Sequence, residues 1–252
     1  NSYYTMSDEN NYTIWHFLKV CHEHGWIYRG EDVMPWCPRC ETGISEMEAS
    51  EGYQDRTHRS LYAGFPLTDR DGEYLLVWTT TPWTLAANIA AAVHPDLTYA
   101  KVKQGDRVYY VAKDAVETAI RGEHEVVGEV KGEEMLGWSY QGPFDDLPAE
   151  QSVTHKVIPW DDISADEGTG IVHIAPGAGR EDYGLGKEHD LDVVAPLNEN
   201  GTYRDGFGWL TGMYVHDVAK PIIDDLRQKG LLYHDYDHHH RYPTCWRCKT
   251  DH

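Results

Sequence analysis

The residues of this chain that are best suited to chemistry follow a short apolar run at positions 74–78. That run is typical of a buried strand, because it is short, apolar and rich in aromatic residues. Thr79, Thr80 and Thr81 come directly after it, and Pro82 then ends the strand pattern because it has no backbone N–H to donate. A strand end that presents three hydroxyl groups is suited to binding a polar ligand, although threonine is also a common residue in strands of any kind.

A second candidate segment has a histidine inside a strand pattern and two carboxylates behind a glycine-rich loop. His173 lies in the apolar run 171–175, and the loop 176–179 follows that run. Glu181 and Asp182 then begin a predicted helix, where carboxylates interact favourably with the positive end of the helix dipole. Taken alone, the same pattern is also that of a hydrogen-bonded core histidine and of a helix-capping aspartate.

Together the two segments resemble the editing (connective peptide) domain of isoleucyl-tRNA synthetase, in the class I aminoacyl-tRNA synthetase family. The resemblance lies in the peptide WTTTPWTL at 78–85 and in GTGIVHIAPG at 168–177, followed by the Glu-Asp-Tyr sequence at 181–183. It continues through 157–161, 206–212 and 241–243, and therefore covers essentially the whole chain. It implies a β-rich α/β fold: a barrel-like editing domain of the type found in the valyl-, isoleucyl- and leucyl-tRNA synthetases, with peripheral helices.

The resemblance also implies roles for single residues. Asp182 is expected to bind the protonated α-amino group of the substrate, while Thr81 and His173 bound the pocket for its side chain. Thr79 and Thr80 are expected to hydrogen-bond the terminal adenosine or the attacking water. The implied catalytic residues are Thr79, Thr80, Thr81, His173 and Asp182. The implied substrate-binding residues are Trp78, Trp83, Gly177 and Asp182.

The activity implied by the resemblance is hydrolytic editing of valine mischarged on isoleucine tRNA and of valyl-adenylate. The expected partners are the valine-bearing 3′ end of that tRNA, valyl-adenylate and the rest of the parent synthetase, and the hydrolysis needs no cofactor. No segment resembles the nucleotide-binding signatures of a synthetase core, so this ester hydrolase is expected to lack the ATP-dependent aminoacylation site. The alternative function is a non-catalytic, zinc-stabilised module that binds RNA or protein.

Four of the five cysteines form two C-x-x-C pairs, Cys37 with Cys40 and Cys245 with Cys248. Two such pairs are the ligand set of a structural four-cysteine zinc site, and disulfide bonds are the alternative. Zinc is favoured because no signal peptide precedes the pairs, which indicates a reducing compartment. The residues between the pairs are therefore expected to leave one point and return to it, as an inserted domain does. The remaining Cys21 is expected to be a small buried hydrophobic residue.

Composition limits the class of protein. The chain has 252 residues, of which 40% are hydrophobic and 12% aromatic, so it can form a packed core. Its longest apolar runs are too short to cross a membrane, and no targeting segment precedes them, which together favour a cytoplasmic protein. The chain is also expected to be a monomer. The net charge of −20 argues against a general RNA binder, because binding the phosphate backbone depends on clusters of lysine and arginine.

The chain is predicted to have three parts. A stem helix and the first zinc knuckle occupy 1–50, the editing domain 51–235, and a return strand with the second knuckle 236–252. The residues His238 to His240 are expected to form a polar loop before that knuckle. Strands are predicted at 74–78, 98–102, 107–112, 155–158, 170–175 and 192–196, and helices at 8–24, 113–120, 180–189 and 215–229.

Overall fold

A computed structural model describes residues 4–166 and 168–251 of the chain. These residues form two compact units, one ending at Asp32 and the other beginning at Val33. The first unit contains helix α1 (Asp8–Glu23), which begins after Ser7, where the Ser7 side chain accepts a hydrogen bond from the backbone N–H of Asn10. Within the described ranges, no helix combines the length and the apolar character that crossing a bilayer requires.

Two open sheets form the body of the second unit, and a two-stranded hairpin stands beside them. The strands are β1 (Trp36–Cys37), β2 (Thr42–Gly43), β3 (Tyr53–Pro66), β4 (Glu73–Thr79), β5 (Ala90–Val93), β6 (Thr98–Gln104), β7 (Arg107–Ala112), β8 (Glu125–Lys131), β9 (Lys156–Pro159), β10 (Ile171–Ile174) and β11 (Leu232–Pro243). The larger sheet has the order β11-β3-β4-β7-β6-β8, and only β4 and β7 run parallel in it. The smaller sheet has the order β10-β5-β9, and β1 pairs with β2.

The helices of this unit are short. They are α2 (Glu46–Glu51), α3 (Val116–Ala119), α4 (Gly132–Met135), α5 (Arg180–Glu188) and α6 (Ala219–Gln228), with 3₁₀ segments at Pro82–Ala87, Lys113–Ala115, Gly208–Leu210 and Val215–Asp217. The helix predicted at 215–229 is therefore a 3₁₀ turn followed by α6, and the one predicted at 113–120 is a 3₁₀ turn followed by α3. Helix α5 lies where 180–189 was predicted.

The expectation of a barrel is wrong, because the sheets formed by the described residues do not close. The β4 ladder stops at Thr79, and Pro82, which has no N–H to donate, begins a 3₁₀ segment three residues later. The chain then enters β5, which belongs to the smaller sheet. The two sheets instead share one hydrophobic core, in which Val77 of β4, Val93 of β5 and Ile171 of β10 lie together. The fold is a sheet-rich α/β structure with two open layers.

A long antiparallel ribbon of β3 and β11 forms one edge of the larger sheet. It runs from Leu232 opposite Ala63 to Pro243 opposite Tyr53. The prediction of a polar loop at His238–His240 is wrong, since these residues pair with 56–58 in the middle of the ribbon. The sequence did not predict this strand because its side chains are polar, and neither face of this part of β11 shows the apolar alternation that is typical of strands.

The strand predicted at 192–196 is also absent from the structure. Only Leu197, just beyond it, forms an isolated bridge, with Tyr203. The apolar residues of this stretch instead lie against the loop after β10, where the Val194 carbonyl occupies the space that a Cβ on Gly177 would need. The other five predicted strands correspond to β4, β6, β7, β9 and β10.

Candidate functional site

The threonine peptide turns sharply at the end of β4. Thr79 is buried, and its Oγ1 accepts a hydrogen bond from the backbone N–H of Thr81 at 3.1 Å. The hydroxyl oxygens of Thr79 and Thr81 lie 3.3 Å apart. Because side chains alternate along a strand, Thr79 is on the same face of β4 as Val77, toward the shared core. Thr80, half-buried, lies between these two threonines in the turn.

The hydroxyl groups continue to a residue that sequence reasoning did not single out. Thr84, buried in the 3₁₀ segment Pro82–Ala87, has its Oγ1 2.9 Å from the Thr81 carbonyl oxygen and 3.4 Å from the Thr81 hydroxyl. The same Oγ1 is 2.9 Å from Nε2 of His173. The three-residue spacing of Thr81 and Thr84 across a proline was the signal, since i and i+3 side chains eclipse in a 3₁₀ turn.

His173 lies in the middle of β10 and is 9% exposed. Its Nε2 contacts Thr84, whereas Nδ1 is buried and has no hydrogen-bond partner in the part of the chain that the structure describes. Burial lowers the pKa of His173 to about 4, because the low-dielectric interior penalises the charged imidazolium. The imidazole is therefore neutral throughout the physiological pH range.

Asp182 is the third residue of α5, and its carboxylate folds back over Gly179 at the start of that helix. Burial first, and then the charge of neighbouring Glu181, raise the pKa of Asp182 to about 7, against the lowering effect of a hydrogen bond from the backbone of Ala175. The carboxyl group is thus partly protonated near neutral pH. A cation that bound to it would favour the ionised form.

The structure does not bring all of the expected residues together. Trp78 points to the opposite face of β4, where its Nε1 donates to the Tyr236 hydroxyl at 3.1 Å. The Trp83 carbonyl accepts a hydrogen bond from Tyr203 at 2.7 Å. Among residues 4–166 and 168–251, no hydrogen bond joins Asp182 to the threonines or to His173.

The four cysteines of the two C-x-x-C pairs meet beside the β1–β2 hairpin. Their Sγ atoms all lie within 4.8 Å of one another, and Cys37 and Cys248 approach to 3.5 Å. No disulfide bond joins any of the four in the structure, which favours the metal site over the disulfide alternative. A tetrahedral zinc ion with Zn–S bonds of about 2.3 Å holds its sulfur ligands about 3.8 Å apart, so the arrangement fits a structural zinc site.

We expect Cys40→Ser to release the metal. A closed tetrahedral site needs all four thiolates, and a serine hydroxyl is a much poorer zinc ligand. Metal analysis of freshly purified, reduced protein should then fall from one zinc per chain to far less, while the body of the two sheets stays folded. Cys21→Ser is the matched control, because Cys21 lies in the other compact unit and should leave the metal content unchanged. Absence of zinc from the unmutated protein would contradict the assignment.

The sequence is similar to known proteins along its whole length. The family model for class I tRNA synthetases (I, L, M and V) matches residues 1–247. Isoleucine--tRNA ligase 2 of Bacillus cereus is 41% identical over 98% of this chain and 24% of its own length. Isoleucine--tRNA ligase of Sulfolobus acidocaldarius is 39% identical over 99% of this chain and 24% of its own length. The chain thus spans about a quarter of the length of these relatives.

The fold has a counterpart among solved structures. The crystal structure of GlLeuRS-CP1 matches with a TM-score of 0.57 at 18% identity, covering 69% of this chain and 98% of that one. At this identity the match concerns the fold alone. The resemblance to the isoleucyl-tRNA synthetase sequences is confirmed by the comparisons with the two ligases. We conclude that the chain belongs to the class I tRNA synthetases (I, L, M and V).

Proposed function

We propose that this chain is an editing domain that hydrolyses valine mischarged on isoleucine tRNA and also valyl-adenylate. The observation that carries the proposal is the line of hydroxyl groups from Thr79 through Thr81 and Thr84 to the neutral His173. It lies in a chain that is 41% identical to an isoleucine--tRNA ligase. Such a line offers both donors and acceptors to an aminoacyl ester without introducing a charge.

In the proposed complex, Asp182 binds the α-ammonium group of the substrate through a charge-assisted hydrogen bond. Thr81 and His173 bound the pocket for the valine side chain. Thr79 and Thr80 hydrogen-bond the terminal adenosine or hold the water that attacks the ester carbonyl. Holding a water next to a bound ester by itself accelerates hydrolysis greatly, because the entropy of bringing the two reactants together is lost on binding and not at the reaction step.

Selectivity in this proposal comes from size. A pocket that admits valine and rejects isoleucine must exclude a single methylene. An apolar pocket discriminates a difference of one methylene by about 1–3 kcal/mol, and isoleucyl-tRNA synthetase is a known example of this limit. A second, hydrolytic pocket inverts that discrimination, because the smaller amino acid is the one that enters.

The net negative charge of the chain limits how it can bind RNA. With a net charge of −20, the chain as a whole repels phosphate groups, so affinity for tRNA alone is expected to be weak. We propose that the rest of the parent synthetase holds the tRNA and that this chain binds only the valine-bearing 3′ end.

The proposal is tested by incubating this chain with isoleucine tRNA charged with valine or with isoleucine and following release of the amino acid. Valine should be released much faster than isoleucine, and faster than in the absence of protein. The alternative, a module that binds RNA or protein without catalysis, predicts binding with no acceleration of either release, and that result would overturn the proposal.

A glycine beside Asp182 offers a second test of the proposed site. The backbone of Gly179 is extended (φ −119°, ψ 145°) and suits any residue, but a Cβ there would collide with Asp182 Oδ2. Because the obstacle is the end of a side chain, Gly179→Ala should move the carboxylate while the helix stays folded. We expect valyl-tRNA hydrolysis to fall about tenfold, the effect of a small misplacement of a binding group.

Gly184→Ala is the matched control for this prediction. Gly184 lies in the same helix, and a Cβ there meets nothing within 4 Å. Its activity should be unchanged, and its stability should rise by about 1 kcal/mol, since alanine is the better helix former. If Gly179→Ala and Gly184→Ala were equally active, hydrolysis would not depend on the position of the Asp182 carboxylate.

A further inference from the structure

Thr84 has one hydroxyl proton and more than one neighbour that can receive it. Its Oγ1 lies 2.9 Å from the Thr81 carbonyl oxygen and 2.9 Å from His173 Nε2. The Thr81 carbonyl has no proton to give, so a hydrogen bond between these two groups requires the Thr84 hydroxyl to donate. The contact with His173 is then made only if Nε2 carries a proton and donates it to Thr84 Oγ1.

The opposite assignment leaves more groups without partners. If Thr84 donated to Nε2, the neutral ring would carry its proton on Nδ1, which is buried and has no acceptor among the described residues. The hydrogen bond from the Thr84 hydroxyl to the Thr81 carbonyl would also be lost. A buried N–H without an acceptor is rarer in proteins than a buried acceptor with a free lone pair. The hydrogen bonds therefore favour the Nε2–H tautomer.

The same reasoning leaves a bare lone pair on Nδ1. A buried polar atom without a partner is energetically costly, and such atoms in native structures call for a reason. If His173 only filled space in the core, an apolar residue of similar size would do so without leaving a nitrogen unpaired. His173 lies beside a line of hydroxyl groups at the end of β4. A ligand or water bound there could donate a hydrogen bond to Nδ1, and this would explain why the atom has no partner within the chain.

We propose that Thr84 is a positioning residue that holds His173 as the neutral Nε2–H tautomer and so makes Nδ1 the free hydrogen-bond acceptor of this site. Only the identity of the ligand, an aminoacyl ester and its attacking water, rests on the proposed function. The assignment of the tautomer stands on the geometry. The low pKa of His173 agrees with it, because a ring that stays neutral keeps the lone pair available.

The test compares two substitutions that separate the hydroxyl from the size of the side chain. Thr84→Val has nearly the same shape but no hydroxyl, whereas Thr84→Ser keeps the hydroxyl and loses a methyl group. Long-range ¹H–¹⁵N NMR of the uniformly labelled chain reads the tautomer, with His173→Gln used to assign the His173 signals among the 15 histidines. The unmutated protein and Thr84→Ser should show Nε2–H, and Thr84→Val should lose that preference.

Hydrolysis provides an independent measurement. For valyl-tRNA, kcat should fall about tenfold or more in Thr84→Val, the scale of a misplaced catalytic group, and much less in Thr84→Ser. If the unmutated chain hydrolyses nothing, the proposed function fails while the NMR result still decides the tautomer. The proposal is overturned if the unmutated protein shows Nδ1–H, or if Thr84→Val keeps the Nε2–H tautomer.

Discussion

Replacing Asp182 by asparagine is expected to lower the hydrolysis of valyl-tRNA by about thirty-fold or more. In the proposed complex this carboxylate is the partner of the substrate ammonium, and removing one member of a buried charged pair costs roughly 2–5 kcal/mol. Asparagine keeps the shape of the side chain and removes the charge. The thermal melting temperature at neutral pH should not fall, because the Asp182 side chain does not cap the helix and asparagine removes the cost of a buried charge.

The same residue predicts a pH dependence. Burial raises the pKa of Asp182 to about 7, so its ionised fraction increases as the pH rises through neutrality. The kcat/KM for valyl-tRNA should therefore rise between pH 6 and 8 in the unmutated protein and lose that rise in Asp182→Asn. The sign for stability is the reverse, since the folded state binds a proton that the unfolded state releases near pH 4. Asp182 thus destabilises the fold as the pH rises from about 4 to 7.

Two further variants make the interpretation of Asp182 decisive. Glu181→Gln is the matched control, because Glu181 is the adjacent carboxylate of the same helix but is exposed. It should not lower hydrolysis as Asp182→Asn does, because loss of the Glu181 charge favours the ionised form of Asp182. Asp182→Ala tests the alternative that Asp182 only stabilises the helix: a purely structural residue predicts a silent Asn variant and an Ala variant with a lower melting temperature. Near-normal editing by Asp182→Asn would establish that structural role.

The second large effect is expected on substrate choice. Thr81→Ala, and to a greater extent His173→Ala, should enlarge the proposed side-chain pocket so that isoleucyl-tRNA is hydrolysed as well. Admitting a methylene changes discrimination by about 1–3 kcal/mol, which corresponds to roughly five- to 150-fold in the ratio of kcat/KM values. The measurement is deacylation of isoleucine tRNA charged with each amino acid in parallel.

Thr68→Ala is a suitable control for the pocket variants, since Thr68 is an exposed threonine just beyond β3. It should retain the original preference for valine. If Thr81→Ala and His173→Ala both lose valine hydrolysis and never act on isoleucine, these side chains position the substrate or the water and do not set the size of the pocket.

The strands that could be predicted from the sequence are those whose side chains alternate or cluster by hydrophobicity. Strands β4, β6 and β7 have this character and appear where they were expected. Strand β5 was missed because its three alanines, 90–92, suit a helix as well as a strand. Only the neighbours of that segment, β10 on one side and β9 on the other, make it a strand.

The site was predictable as a set of segments but less so as a geometry. The threonine peptide and His173 do come together, through Thr84, whose signal in the sequence is its three-residue spacing from Thr81 across a proline. Trp78 was expected at the site but does not lie there. It is next to Thr79 in sequence, and adjacent residues of a strand point to opposite faces. Adjacency along a strand separates side chains, and only the register of the pairing reveals which residues meet.

The ribbon of β3 and β11 has a consequence for how the chain folds. Tyr53 and Pro243 are neighbours in it although nearly the whole body lies between them in sequence. The entropy lost on closing a loop grows with the logarithm of its length, and topologies dominated by such distant contacts fold slowly. An ion held by Cys37, Cys40, Cys245 and Cys248 closes nearly the same loop, in the way that a cross-link restricts an unfolded chain. Refolding should therefore be faster with zinc present from the start than when the metal is added after the chain has collapsed.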